Sequence, residues 1–217
     1  MLYVGNTKYK VMAGNQKTDF VVPLPYDYEV EYLESTGTQY IDTGINPGAY
    51  PWDLDFLVDC QATDFGDTRR MGSHIYNSAS SSAFYMIKFP ANNYVRVNLS
   101  KGGDDFDIQS DMLQRHIISI NSTNGTATFD GTSYPVSNSP SVPNTSSVCL
   151  FALKGNGTVS NFFVGKIFKA SLKTASSTLR DFIPVVKNSI GYMYDKISGQ
   201  LFGNSGTGNF IIGSRKQ

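Results

Sequence analysis

Residues 31–45 read EYLESTGTQYIDTGI. Tyr32 and Leu33 precede a polar break at Glu34-Ser35-Thr36-Gly37, and strand-forming residues resume with Thr38, Tyr40, Ile41 and Thr43. That spacing does not trace a helical face. It predicts two short strand pieces joined by a tight bend. A catalytic loop would need a nucleophile or an acid-base pair, and the stretch offers no partner for one.

The composition of the whole chain points the same way. There are 217 residues, 40% of them hydrophobic and 17% charged, enough to bury a core in one large β-domain with a small appendage. The acids are 15 Asp against 3 Glu, and Gly numbers 20. Asp and Gly favour turns where Glu favours helices, so strands and turns are expected throughout. The best helical candidate, Ser171 to Arg180, is short and rich in Ser and Thr. The 18 basic and 18 acidic residues cancel, which removes the electrostatic reason to bind nucleic acid or an anionic membrane. The opening MLYVGNTKYK lacks the apolar centre of a secretory signal, and no run has the length of a membrane span. The expectation is a protein that either stays in the cytoplasm where it is made or leaves by another route, such as cell lysis. Cys60 and Cys149 each sit in an apolar run and are expected to be buried free thiols.

Strand signals recur along the chain. Residues 1–28 read as a hairpin-rich appendage followed by a Pro-containing linker. Leu2 to Val4 could pair with Tyr9 to Met12, and Gly14-Asn15 is a second turn signal. Residues 29–217 form the main domain. Within it Asp53 to Gln61 alternates, with Leu54, Phe56, Val58 and Cys60 on one face and Asp53, Asp55, Leu57 and Asp59 on the other. Ala83 to Phe89 and Tyr94 to Leu99 form a pair, as do His116 to Asn121 and Thr126 to Phe129 around Ser122-Thr123-Asn124-Gly125. Thr132 to Val136 and the apolar Ser147 to Leu153 add strands. Phe162 to Leu172 alternates, with Phe163, Gly165, Ile167 and Lys169 opposite Val164, Lys166, Phe168 and Ala170. Tyr192 to Asp195 and Gln200 to Phe202 close the chain around a Gly turn. Many short strands with Gly and Asn turns predict an all-β sandwich or jelly roll.

EYLESTGTQYIDTGI resembles the opening of a concanavalin A-like (laminin G-like, laminarinase-like) jelly-roll domain of the kind found in gut-bacterial and bacteriophage proteins. HIISINSTNGTATFDGT, SVCLFAL, GKIFKASL and DFIPVVKNSIGYMYDKISGQLFGNSGTGNF are similar to its later pieces, in order. The resemblance implies a first strand lying beside the last, so that the two ends of the domain meet, with Gly37 and Gly44 serving bends and Tyr40 and Ile41 strand packing, so that EYLESTGTQYIDTGI is architecture and not chemistry. It also implies that Gly191 to Phe210 forms the closing hairpin, with Asp195, Gly199 and Asn204 shaping turns. It is specific to the fold and not to an activity. The appendage resembles the hairpin leaders of phage structural proteins.

Several residue groups are candidates for chemistry. Asp53, Asp55 and Asp59 share one strand face, as the acids of laminarinase-type enzymes do, but the Glu-x-Asp-x-Glu pattern of that family is absent, and a solvated strand face is the simpler reading. No catalytic residue is assigned. Asp104, Asp105 and Asp107 cluster in a polar stretch and could hold calcium through oxygen, although their spacing matches no complete calcium loop and no cofactor is required. His74, placed in a polar loop, and His116, opening a strand, pair with no nucleophile motif. Tyr50, Trp52, Tyr76, Tyr85 and Tyr94, with Tyr134, are candidates for stacking on carbohydrate from loops.

The expected function is that of a non-enzymatic bacteriophage virion protein, a capsid decoration or fibre component. Its expected partners are other virion proteins and host or mucosal glycans, with no nucleic acid and no membrane. The alternative is a secreted carbohydrate-binding module or glycoside hydrolase-like protein of a gut bacterium.

Overall fold

The computed structural model describes residues 8–13, 16–21, 23–49, 52–78, 81–99, 105–136 and 142–217. The protein is all-β, two sheets facing each other as a sandwich. The smaller sheet runs Asp105–Gln109, Tyr94–Asn98, Ser81–Ala91, Arg70–Ser78, Cys149–Leu150, Ile41–Asp42, with Leu153–Gly155 and Thr158–Ser160 joined beside Arg70–Ser78. The larger runs Thr132–Pro135, Thr126–Phe129, His116–Asn121, Asp55–Ala62, Gly165–Lys173, Thr178–Lys187, Ile190–Asp195, Gln200–Phe202. Among the described residues the strands pair antiparallel, save where Leu153–Gly155 runs parallel to Arg70–Ser78 and where an isolated bridge joins Arg70 to Phe162 in parallel. Ahead of the sandwich Lys8–Ala13 pairs with Gln16–Val21. The Leu2 to Val4 strand expected before them lies outside the described residues.

The alternation of Asp55–Ala62 explains the layering. Phe56, Val58 and Cys60 are fully buried and face Tyr85, Ile87 and Phe89 of the other sheet within one core. Burying each such aromatic or aliphatic side chain stabilises the fold by about 1.5–3 kcal/mol. Aromatic contacts cross the core, Phe89 to Phe163 at 4.6 Å and Trp52 to Tyr85 edge-on at 5.6 Å.

The opening stretch and the chain's end form a clasp, as the resemblance implied. Leu33–Ser35 pairs on one side with Gly165–Lys173 and on the other with Ile211–Ile212. Backbone bonds extend the contact from Glu31 N to Ser214 O at 2.9 Å through Thr207 N to Thr38 O at 3.1 Å. Asn204 Oδ1 accepts from Tyr40 N at 3.0 Å. Gly37 (φ 109°) and Gly44 (φ 71°) take the left-handed backbone that their bends require. Asp195, fully buried, shapes the closing turn by accepting from Ile197 N, Ser198 N and Ser198 Oγ.

Ser171 to Arg180, the short Ser- and Thr-rich stretch, spans the end of Gly165–Lys173, a turn at 174–177 and the start of Thr178–Lys187, which pair as a hairpin. Two local expectations are corrected. Ser147 to Leu153 is two strand pieces, broken at Phe151, whose φ of 65° cannot continue a strand. The alternation of Phe162 to Leu172 breaks at Phe168: Ile167 sits opposite Cys60 and Lys169 opposite Asp59, leaving Phe168 as an extra residue. This bulge keeps Ile167, Ala170 and Leu172 all in the core. Lys169 consequently leaves the face it was expected to share with Ile167 and is exposed.

A second apolar cluster lies on the larger sheet. Tyr26, Val185 and Tyr194 are buried together, with Leu24, Ile183, Tyr192 and Leu201 packed around them. The segment after the Pro-containing stretch thus lies on the sheet, and Tyr28–Glu29 pairs with Val185 and Val186.

Candidate functional site

Sheet register assembles a polar cleft around the middle acid of the Asp53, Asp55, Asp59 series. Asp55 lies between Asn121 on one neighbouring strand and Lys173 on the other. One step along, Leu57 lies between Ser119 and Ser171. These six residues and Phe56 line a cleft of about 150 Å³. Ser119 Oγ is 2.5 Å from Thr128 Oγ1 and donates to Asn121 Oδ1 at 3.3 Å. Each side chain stands on a strand, which holds it more rigidly than a loop would.

The three acids have different surroundings. Asp53 Oδ1 accepts from Ala175 N at 2.7 Å and Thr123 Oγ1 at 3.2 Å, tying two turns together. Asp59 is held by both Nε and Nη2 of Arg115, each at 2.7 Å. Asp55 Oδ1 is closed to solvent and has no hydrogen-bond partner. Burial raises the Asp55 carboxyl above its ordinary value, and the charge of Asp53 adds to the rise, against backbone N–H bonds from Thr123 and Ser122. Asp55 and Asp59 are four residues apart on one strand, about 13 Å at 3.3 Å per residue. Paired glycosidase carboxyls stand about 5–5.5 Å apart for retention and about 6.5–9.5 Å for inversion, so Asp55 and Asp59 do not form such a pair.

Next to the cleft the Phe168 bulge builds an aromatic and cationic stack. The Arg115 guanidinium lies 4.0 Å from the Phe168 ring centre, Tyr32 meets Phe168 edge-on at 5.4 Å, and Lys166 Nζ sits 4.6 Å from the Tyr32 ring centre. Leu113 and Ile117, flanking Arg115 in the chain, are 45% and 46% exposed. No family model matches the sequence, and no curated protein is found to match it. The site is therefore read from its own residues.

The carbohydrate-stacking candidates fare unevenly. Trp52 and Tyr85 are core residues, 1% and 0% exposed, so neither ring has a face to offer a ligand. Trp52 Nε1 donates to Gly48 O at 3.1 Å and Tyr85 Oη to Leu54 O at 2.5 Å, and both polar tips are satisfied inside. Tyr94 is half-buried on a strand beside the Arg96 guanidinium, 5.8 Å from its ring centre. Tyr134 packs on Phe106 at 5.4 Å. Tyr50 and the side chain of Tyr76 lie outside the described residues. Of the calcium candidates, Asp104 and the side chain of Asp105 also lie outside them. Asp107 is bound by Arg96 through Nε at 2.5 Å and Nη2 at 2.8 Å, a pairing that occupies both its oxygens. Among the described residues no group of three His, Cys, Asp or Glu side chains gathers as a metal site would.

His74 is not in a loop. It stands on Arg70–Ser78 with its imidazole against Gly155, where a Cβ would lie 1.9 Å from the ring. Burial lowers its proton affinity, and the nearby Arg70 charge lowers it further. His116 opens its strand as expected, with Nδ1 2.7 Å from Asp130 Oδ2 and Nε2 2.8 Å from the Asp111 carbonyl, a structural brace. Cys60 and Cys149 are free and buried, as expected.

Ser119, Asn121, Ser171 and Lys173 are the cleft residues that the sequence left unmarked. Each is an ordinary polar residue within its own strand, and only register sets it beside Asp55.

Proposed function

We propose that this chain is a non-enzymatic structural protein of a bacteriophage virion, a concanavalin A-like jelly roll that decorates the capsid or forms part of a fibre. In this reading it is made in the bacterial cytoplasm, leaves by lysis, and turns one sheet face toward surface glycans. The non-enzymatic part is supported by the commitments of the acids that flank Asp55: Asp59, about 13 Å along the strand, is held by Arg115, and Asp53, two residues away, has its Oδ1 bound by Ala175 N and Thr123 Oγ1. Two features support a structural role. The sandwich is closed by its own clasped ends. The Lys8–Ala13 and Gln16–Val21 hairpin pairs with no other strand among the described residues, and a lone two-stranded hairpin is marginal in water, so another virion protein is its natural support.

Mass spectrometry of phage particles purified from a lysate tests this directly. The chain is expected in particles, at high copy number for a capsid decoration and low for a fibre. Its absence from particles together with presence in the medium or cell envelope would overturn the virion reading in favour of a bacterial glycan-binding module.

One observation favours a second reading, that of a glycoside hydrolase-like protein: the raised proton affinity of Asp55 in a cleft is the property of a general acid. Release of reducing sugar from a panel of β-glucans, lost in Asp55→Asn, would establish it; no turnover across the panel rules it out.

A further inference from the structure

We propose that the cleft around Asp55 binds a single neutral sugar residue through two adjacent hydroxyls. The assignment rests on the part of the reading above that gives a sheet face to glycans, and it names the face, the pocket and the ligand class. Four facts carry it. The cleft holds about 150 Å³, room for about five waters at about 30 Å³ each, which suits one sugar ring and not a chain of them. Its hydrogen-bonding groups are mixed: a carboxylate at Asp55, an ammonium at Lys173, an amide at Asn121 and hydroxyls at Ser119 and Ser171. Its one acid and one base cancel, so an anionic guest meets Asp55 and a cationic guest meets Lys173, and a neutral polyol meets no repulsion. Asp55 Oδ1 lacks the partner that a buried carboxyl oxygen ordinarily has.

In the bound arrangement the Asp55 carboxylate turns about χ2, a soft torsion for Asp, loosening its backbone N–H contacts to Thr123 and Ser122 and bringing Oδ1 out of its closed position onto two neighbouring hydroxyls. Lys173 and Asn121 donate to the same hydroxyl oxygens, and Leu57, between the two serines, receives the C–H face of the ring. Ser119 is already tied to Thr128 and Asn121, which holds the amide in place before a ligand arrives.

The test is an amide NMR titration of the full chain with glucose, galactose, mannose and N-acetylglucosamine, with glucuronate and glucosamine as charged controls. At least one neutral sugar is expected to shift the Ser119, Asn121 and Ser171 amides saturably, and Asp55→Ala to weaken it at least about tenfold. Asn121→Ala, checked for an otherwise native spectrum, is expected to weaken binding as well, which keeps the outcome readable if Asp55→Ala does not fold. No saturable shift at these amides up to about 100 mM of every neutral sugar, well beyond the millimolar range of weak binding, overturns the proposal. Tighter binding of either charged control overturns it too. Neither result bears on whether the chain is found in particles, so the failure of this assignment is distinct from failure of the virion reading.

Discussion

The guanidinium of Arg115 lies 4.0 Å from the centre of the Phe168 ring while both oxygens of Asp59 bind it at 2.7 Å. One side chain thus covers an aromatic ring turned outward by a bulge and neutralises a carboxylate only 11% exposed. Phe168, in turn, is the residue that the bulge leaves without a place in the core.

Arg115→Ala should therefore cost more than an ordinary surface ion pair. It leaves the Asp59 carboxylate largely buried and unpaired, and a loss of about 1–3 kcal/mol is expected in urea unfolding. Arg115→Lys should recover less than half of this, since an ammonium cannot grip both oxygens as the planar fork does. A loss under about 0.5 kcal/mol for Arg115→Ala would place the contact among inconsequential surface pairs.

Asp55 gives a pH signature. Its folded proton affinity is raised above the ordinary 3.8. Its contribution to stability is therefore fully present below that value and is lost as pH rises through the folded one. At pH 7 the ionised carboxyl opposes folding, so Asp55→Asn should raise the urea midpoint there. The advantage should shrink as the pH falls through the raised folded value and be gone below 3.8. A difference between the two proteins that is constant across this range would contradict the assignment.

The two thiols should be inert in the folded protein. Burial pushes Cys60 far above its ordinary value of 9.0 and Cys149 up to about 12, so neither supplies thiolate at neutral pH. Intact mass after maleimide treatment should show no adduct on the native chain and two adducts in denaturant. Labelling of either thiol at a rate near that of a free peptide cysteine would show that the sheets open around it.

The clasp can be loosened at one atom. A Cβ on Gly206 would come within 2.0 Å of the Thr38 carbonyl oxygen, a backbone atom that cannot swing aside. Gly206→Ala should cost about 1–3 kcal/mol by overpacking and hasten proteolysis after residue 203, with Ser205→Ala, at an exposed neighbour, close to neutral. Equal stability of the two variants would mean that the contact between the chain ends adjusts freely.

The larger sheet was legible where period two is strict. Leu54, Phe56, Val58 and Cys60 alternate with three acids and a leucine, and the buried set is the one that alternation selects. The strand carrying His74 was not legible, because Arg70, Ser73, Asn77 and Ser78 dilute its apolar pattern; it becomes a strand through pairing with Ser81–Ala91. Trp52 and Tyr85 were misplaced for a related reason. An aromatic beside turn residues looks like a loop residue, and only the facing sheet shows that its ring fills the core. Phe168 resisted for yet another: a bulge adds one residue without changing the composition of the strand.

Local preferences determined the all-β class, the turns at Gly37 and Gly44, the buried thiols and the outward side of the acids, because each depends on neighbours within a few residues of the chain. The cleft is different. Asn121, Asp55 and Lys173 are 66 and 118 residues apart in the chain when taken in pairs from Asp55, and they share a row only because three strands pair in one register. Register is selected by the cost of turning Phe56, Val58 and Leu172 to the wrong face, a sum over the whole core that no single segment contains. The tertiary structure alone therefore decided which polar side chains meet, that Asp59 belongs to Arg115, and that Asp55 is left with an unanswered oxygen.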